Sequence, residues 1–319
     1  MATNATNGFD DYIVHSTYGS QGIIMLIANG LLFLTILLSR SLRRRKEMVI
    51  IAGMAAIDAI YGLSAISLAV YRFGILSRGQ QNDKITPWDC VTLPPLFLIG
   101  ISVQMTSVVN VVVSSDRLIA VAWPTKYRNL NVPYAGKLLG LLALFGVFSS
   151  AAMLLSTYFG TKNATTVTKM CTNPGIPYAY NLYQQTMIAG AGYLSVIIYF
   201  FVFLSYRRAV RNIAPSTNVI GEQHAVALQR RLTVTLGIIT ISTFIFFIIP
   251  YTIFAVCAWM NVVAPQPSLL ATISRFSTII NVVIYMYRQK EMRSEMRALL
   301  TCTKPTRWTS STGRTVVAR

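Results

Sequence analysis

Seven long apolar runs, separated by short polar segments, are the feature that most restricts what this chain can fold into. They cover about residues 17–39, 48–71, 91–115, 138–159, 184–206, 232–259 and 268–287. Each is close to the roughly 20 residues that an α-helix needs to cross the hydrocarbon core of a bilayer. Backbone groups find no water in lipid, so runs of this length are expected to be helices. The sequence therefore predicts an all-α membrane protein with seven spans.

The composition supports a membrane protein and argues against a nucleic-acid-binding one. Hydrophobic residues make up 54% of the chain and charged residues only 12%, against about 25% charged residues in soluble domains. The formal net charge of +18 is of a kind that often marks nucleic-acid binding. Here the basic residues lie between apolar runs that are too long for soluble cores, so we assign them to the loops of a membrane protein.

The unequal distribution of basic residues predicts the orientation. With the N-terminus outside, 22 of the 28 lysines and arginines fall in the inner loops and the C-terminal tail, as the positive-inside rule requires. Two Asn-X-Thr sequons, at Asn4 and Asn163, then fall outside, where glycans are attached. No cleavable signal peptide is expected, because residues 1–21 lack a basic n-region.

Four segments are expected: an extracellular N-terminus (1–16), a seven-helix transmembrane domain (17–287), an amphipathic inner-surface helix (288–303) and a disordered cytoplasmic tail (304–319). The third segment alternates basic residues with methionines and leucines at helical spacing, which is typical of a helix lying on a lipid surface. Cys302 is a candidate for lipidation, with a free thiol as the alternative. The tail is rich in Ser and Thr, so it is a candidate for phosphorylation and arrestin binding, or is simply disordered.

Polar residues inside the apolar runs mark the candidate functional interior, because charges and amides are costly in lipid. Asp58 lies in the middle of the second run, with no basic neighbour there. Helical spacing places two polar stripes on the third and seventh runs: Thr106, Asn110 and Arg117, and Ser274, Ser277, Thr278, Asn281 and Tyr285. We expect the stripes to face each other inside the bundle, where they either carry function or only satisfy one another's hydrogen bonds.

Asp116-Arg117-Leu118, at the end of the third run, resembles the DRY motif of rhodopsin-like (class A) G-protein-coupled receptors. Asn281 to Tyr285 resembles their NPxxY motif, with Val282 in place of Pro. Pro250 resembles the proline that bends their sixth helix, and Phe244 the aromatic residue before it. Leu118 and Val282 depart from these two motifs. With such departures, the chain is most similar to the serpentine chemoreceptors of nematodes, possibly to the class called sx.

The resemblance implies a multi-pass plasma-membrane receptor that binds a small extracellular ligand and activates a heterotrimeric G protein. Coupling and activation are then carried by Asp116, Arg117, Phe244, Pro250, Asn281 and Tyr285. Arg230 stands where some members carry an acid that pairs with the third-helix arginine. Arg117 is therefore left with Asp116 or water, and basal signalling is expected.

The resemblance also implies a disulfide and an ion site. The disulfide joins Cys90 and Cys171, with two free cysteines as the alternative. The ion is sodium, held in the resting state by Asp58, Thr106, Ser277 and Asn281. An oxygen-rich cluster around one carboxylate suits such a hard cation, and a protonated Asp58 without an ion is the alternative.

Arg275 is the one strongly basic residue within an apolar run, and we expect it to bind the ligand. An arginine stays charged, so it predicts a ligand with a carboxylate or a similar anion. The alternative is that Arg275 reaches the outer surface or pairs with Asp89. Covalent retinal is not expected, because no lysine lies well inside a run. Ile99 replaces the acid of the amine receptors, which argues against a cationic amine.

Enzymatic activity and bound cofactors other than sodium are not expected. The two histidines, His15 and His224, fall on opposite sides of the membrane, and no nucleophile–base pair can be placed. A ligand-gated ion channel or a transporter is the alternative function, and a neuropeptide is the alternative ligand. Seven-helix odorant channels have their N-terminus inside the cell, and the distribution of basic residues in this chain argues against that orientation. A transporter is expected to contain inverted repeats, which the sequence does not show.

Overall fold

The computed structural model describes residues 8–161, 166–172, 175–212 and 233–301. Within these ranges seven helices are long and apolar enough to cross a membrane, which confirms the predicted number of spans. In chain order the spans are α1 (Gly8–Leu38), α3 (Lys46–Ser77), α5 (Pro94–Ala122), α7 (Val132–Gly160), α8 (Tyr178–Asn212), α9 (Thr233–Trp259) and α10 (Pro267–Arg288). Shorter helices are α2 (Arg40–Arg43), α4 (Pro87–Thr92), α6 (Pro124–Asn129) and α11 (Lys290–Leu300).

The third span begins at Pro94, later than the residue 91 that the apolar run predicts. A separate short helix, α4, precedes it and carries Cys90. The hydroxyl of Thr86 accepts from the Asp89 amide, and the Asp89 carboxylate accepts from the Thr86 amide, so the pair caps the start of α4. The extended Leu93 and the proline after it then end α4 and start α5.

Cys90 and Cys171 form a disulfide with a Cα–Cα distance of 5.8 Å, which confirms the predicted pairing. Close by, β1 (Lys84–Ile85) pairs antiparallel with β2 (Val167–Thr168), with Ile85 opposite Val167. Arg72 of the second span donates to the carbonyls of Met170 and Cys171 at 3.0 and 3.1 Å. These contacts fix the loop to the bundle, and we call this end of the molecule the disulfide end.

The first two spans make a close backbone contact at two glycines, Gly22 and Gly62. A Cβ atom added to Gly62 would lie 2.7 Å from the Leu26 amide nitrogen and 2.8 Å from the Gly22 carbonyl oxygen. Only residues without side chains let two helix backbones pack at this distance, as small residues do in membrane helix pairs. This contact sets the position of the first span against the second, and hence the position of the polar residues that both carry.

The outer face of the bundle is apolar. On the fourth span, α7, the exposed side chains include Leu141, Leu144, Phe148 and Leu155. An apolar surface of this length is unfavourable in water and is covered by lipid in a membrane-spanning helix. The buried face of the same span carries small or polar residues such as Ser149 and Thr157.

The sixth span, α9, contains a π-helical turn at Phe244–Ile248, which ends two residues before Pro250. The π turn changes the hydrogen-bond spacing, and the proline has no N–H to donate to the preceding turn. Both features weaken the same stretch of backbone. The bend predicted from Pro250 therefore coincides with a local change of helix type that the sequence did not predict.

The short helix after the last span, α11, packs against the first span. Its Met292 and Met296 are buried in the same apolar cluster as Leu42. Arg45 donates to Glu291 at 2.6 Å across the partly exposed surface. This end of the molecule lies opposite the disulfide end, and we call it the arginine end because Arg117 lies there.

Candidate functional site

The Asp116–Arg117 pair forms the centre of a buried cluster at the arginine end. Both side chains are only 2% exposed. Arg117 Nε donates to Asp116 Oδ2 at 3.0 Å, and Nη2 forms a second, short contact with the same oxygen. Nη2 also donates to the hydroxyl of Tyr127 at 2.7 Å. The prediction that Arg117 pairs only with Asp116 or water was therefore incomplete.

Tyr127 of α6 links this pair to the second span. Its hydroxyl lies 3.2 Å from Glu47 Oε1 and 3.2 Å from both oxygens of Asp116. Burial raises the pKa of the Tyr127 phenol well above its usual value, and the neighbouring Arg117 guanidinium opposes that shift. The hydroxyl therefore keeps its single proton at neutral pH, which it donates to one carboxylate at a time.

Lys46 holds the main chain of the same short helix. Its ammonium donates to the carbonyl of Leu130 at 2.8 Å and, in a shorter contact, to that of Tyr127. It also lies 3.7 Å from the centre of the Tyr127 ring, as in a cation–π contact. The adjacent residues Lys46 and Glu47 therefore position Tyr127 through its backbone, its ring and its hydroxyl together.

Two hydrogen bonds fix the start of the sixth span to its neighbours at this end. The hydroxyl of Tyr199, on the fifth span, donates to the carbonyl of Thr233. Arg288, at the end of the seventh span, donates from Nε to Thr235 Oγ1 at 3.1 Å. An outward movement of the sixth span from this position breaks both bonds.

Tyr285 is fully buried, and its hydroxyl has no hydrogen-bond partner among the described residues. It borders a small cavity of about 10 Å³ that is also lined by Asn110, Ser114 and Ser195. A cavity of that size has room for about one water molecule. Phe244 packs against the apolar cluster around Phe247 and Ile248 in the same bundle.

The structure brings some of the predicted sodium ligands together and directs one elsewhere. Thr106 donates to Asp58 Oδ1 at 3.1 Å, whereas the Ser277 hydroxyl lies 3.5 Å from that of Thr243. Asp58 Oδ2 and Asn281 Oδ1 are buried and have no hydrogen-bond partner among the described residues. Asp58 and Thr106 are therefore in contact, and the Asp58 oxygen that lacks a donor leaves room for either a hard cation or a proton.

Arg275, at the other end of the interior, is buried, with 4% of its surface exposed. Its guanidinium carbon lies 4.0 Å from the ring centre of Tyr18 and 5.9 Å from that of Tyr61. Nε and Nη1 have no hydrogen-bond partner within the part of the chain that the structure describes. Asp89 caps α4 instead, and the burial of Arg275 does not agree with the alternative that it reaches the surface.

Several predicted positions lie outside the described residues: Asn4, Asn163, Arg230 and Cys302. Conversely, sequence reasoning missed Tyr127, Lys46, Tyr199 and Tyr18. Tyr127 follows Trp123 and Pro124, and this pattern signals a turn into a short helix. The other three carry no motif, and only their contacts in the folded chain distinguish them.

A model of the family described as serpentine type 7TM GPCR chemoreceptor Srbc matches residues 11–289. Among the described residues, the matched range covers all seven helices that are able to span a membrane, apart from the first three residues of α1. The prediction of a serpentine seven-helix receptor is confirmed, whereas the match does not confirm the sx class or the rhodopsin-like (class A) detail. The comparison with curated proteins finds no match.

Proposed function

Because this chain belongs to the Srbc family of serpentine type 7TM GPCR chemoreceptors, we propose that it detects a small extracellular molecule and activates a heterotrimeric G protein. Its place is the plasma membrane, which it crosses seven times. The N-terminus and the disulfide end face outward, and the arginine end faces the cytoplasm. The excess of basic residues in the inner segments and the position of both sequons support this orientation.

The observation that carries the coupling proposal is the closed cluster of Asp116, Arg117 and Tyr127. In this arrangement the guanidinium is 2% exposed, so it is unavailable to a partner protein. A ligand activates the receptor if it binds better to a second arrangement in which Arg117 is free. Loss of the Tyr199–Thr233 and Arg288–Thr235 hydrogen bonds opens the sixth span, whose π turn before Pro250 is the hinge. Tyr285 and Asn281 then rearrange with it.

At the outer end, Arg275 binds an anionic group of the ligand. A buried guanidinium with two N–H-bearing nitrogens unpaired among the described residues supports this role, because an uncompensated buried charge is destabilising. No cofactor is required, and covalent retinal has no lysine to bind. Asp58, Thr106 and Asn281 hold sodium in the resting state, with Ser277 reorienting from Thr243 to complete the set. A proton on Asp58 is the competing state.

Further partners are proposed for the inner surface. The helix α11 lies on the anionic inner leaflet, with its basic side chains toward the lipid headgroups and Met292 and Met296 toward the protein. Lipidation of Cys302 then adds a membrane anchor, and phosphorylation of the tail recruits an arrestin. Glycans at Asn4 and Asn163 complete the outer surface.

A paired recording tests the proposal against the alternative of a ligand-gated channel. The chain, its Arg117→Ala variant and the control Lys126→Ala are expressed in cells, and G-protein dissociation and membrane current are read together during application of small carboxylates. Lys126 is an exposed basic residue of the same inner segment, so its loss controls for charge. We expect dissociation in the parent and the control that disappears in Arg117→Ala. A current that persists when G-protein signalling is blocked supports a channel instead.

A further inference from the structure

We infer that a buried polar cluster at the disulfide end, formed by His15, Gln21 and Arg275 around the ring of Tyr18, binds a small 2-hydroxy or 3-hydroxy carboxylate. The inference rests on the proposed receptor function, since it names the ligand class for the Arg275 site. It places this ligand between the first, second and seventh spans. We call these four residues the acid site.

The acid site holds an unusual concentration of unpaired polar groups. Of the twelve buried polar atoms that lack a partner among the described residues, five belong to it. They are Nδ1 and Nε2 of His15, Oε1 of Gln21, and Nε and Nη1 of Arg275. None of the three side chains is more than 4% exposed. Native interiors leave few such groups unpaired, so this concentration indicates a missing hydrogen-bonding partner.

Two hydrogen bonds align the first span with the seventh at the acid site. The Tyr18 hydroxyl donates to the carbonyl of Ser268 at 3.4 Å, and Gln21 Nε2 donates to that of Thr272 at 3.2 Å. Arg275 is one helical turn beyond Thr272 on the same face of α10. The Gln21 amide therefore lies about one helical turn from Arg275 across the helix interface.

The charges around the acid site favour an anion. The rings of Tyr18 and Tyr61 stabilise the Arg275 guanidinium through their faces, but they do not accept hydrogen bonds from Nε and Nη1. Arg72 lies close enough to His15 to interact with it, and it adds a second positive charge. A carboxylate supplies both the charge and the acceptors that Arg275 needs.

The second group of the ligand follows from His15 and Gln21. An imidazole and an amide each donate and accept hydrogen bonds, so they match a hydroxyl. The ring of His15 lies 6.2 Å from the Tyr18 ring, which is itself 4.0 Å from the guanidinium carbon, so His15 lies within about 10 Å of that carbon. A hydrogen bond at each end takes up about 3 Å, so the two groups of the ligand are at most about 4 Å apart. The carboxylate and hydroxyl of 2-hydroxy and 3-hydroxy acids satisfy this limit.

The test measures binding without a G protein. The purified full chain is unfolded by heat in the presence of 2-hydroxybutanoate, 3-hydroxybutanoate or butanoate, because a ligand that binds the folded state raises the unfolding temperature. We expect one of the hydroxy acids to act at a concentration roughly threefold to tenfold lower than butanoate, the contribution of about one neutral hydrogen bond. Failure of all three acids to stabilise the chain overturns the inference and leaves water as the partner of the unpaired groups.

Single substitutions test which residue binds the carboxylate of the ligand and which binds its hydroxyl. Arg275→Gln is expected to weaken all three acids by about a hundredfold, as loss of a charged hydrogen bond does. His15→Phe keeps a ring but removes both nitrogens, so it is expected to abolish the preference for the hydroxy acid, whereas His15→Gln retains it. Arg78→Gln, at an exposed position of the same end, is the charge control. The unfolding temperature of each variant without ligand shows whether it is folded.

The same measurements distinguish failure of the acid site from failure of the proposed receptor function. Stabilisation that depends on Arg275 and His15 supports the site even if no G protein is activated. A G-protein response that is unchanged in both Arg275→Gln and His15→Phe supports the receptor function and overturns the acid site.

Discussion

Arg117 Nη2 donates a 2.7 Å hydrogen bond to the hydroxyl of Tyr127, ten residues later in the chain. This bond connects the end of the third span to the short helix that follows it, and through Glu47 and Lys46 to the second span. The restraint on Arg117 therefore does not depend on an acid in the sixth span. Substitutions of Tyr127 and Lys46 test it.

Tyr127→Phe is expected to raise basal G-protein dissociation in cells by about tenfold. The variant keeps the ring and removes one hydrogen bond to a charged group, and tenfold corresponds to about 1.4 kcal/mol, near the low end for such a bond. The control is Tyr287→Phe, because Tyr287 is 79% exposed at the same end. Basal dissociation that is equal in parent and variant, at matched surface expression, contradicts the restraint.

Lys46→Met is expected to raise basal dissociation as well, because it releases the main chain of α6 while keeping an apolar stem. Since Lys46 and Tyr127 act on the same short helix, the effects of Lys46→Met and Tyr127→Phe are expected to be less than additive in the double variant. A double-mutant cycle on basal dissociation measures this. Strict additivity would indicate that Lys46 does not act through Tyr127.

Gly62→Ala is expected to lower the unfolding temperature of the purified chain. The added methyl group would meet the backbone of the first span at 2.7 to 2.8 Å, and overpacking of this kind costs about 1 to 3 kcal/mol. Gly74→Ala is the matched control, because a Cβ atom there meets nothing within 4 Å. Equal unfolding temperatures for the two variants would refute the close approach of the first two spans.

Replacement of sodium by a larger organic cation tests the proposed ion site. We expect sodium to raise the unfolding temperature of the parent and to have no such effect on Asp58→Asn, whose amide carries no charge to hold the ion. If both proteins respond equally to sodium, the ion binds elsewhere, and a proton on Asp58 becomes the better account of its resting state.

The number of spans and the Cys90–Cys171 disulfide were predictable, because each depends on the length of an apolar run or on a resemblance carried by a motif. The partners of individual side chains were not predictable, because they depend on how helices rotate and pack. The hydroxyl of Ser277 lies beside Thr243 of the sixth span, whereas the sequence grouped it with Asp58. In the same way, no spacing rule pairs Gln21 with Thr272, since these residues are far apart in the chain.

The position of Cys90 shows how a local signal was missed. The apolar run that begins at residue 91 puts Cys90 directly before the third span, although Thr86, Pro87 and Asp89 form a capping pattern and Pro94 marks a second helix start. These short-range signals predict α4 and the break after it. The orientation in the membrane, the G protein, the ion and the lipid contacts stay predictions.

Nucleotide exchange on a purified heterotrimeric G protein, measured with the purified chain in lipid nanodiscs, tests the central claim most directly. We expect exchange to be faster with the parent than with empty nanodiscs, faster again with Tyr127→Phe, and no faster than with empty nanodiscs for Arg117→Ala. Exchange that is accelerated equally by the parent and Arg117→Ala would contradict the central claim, as would a parent, shown to be folded, that accelerates exchange neither alone nor with the carboxylates.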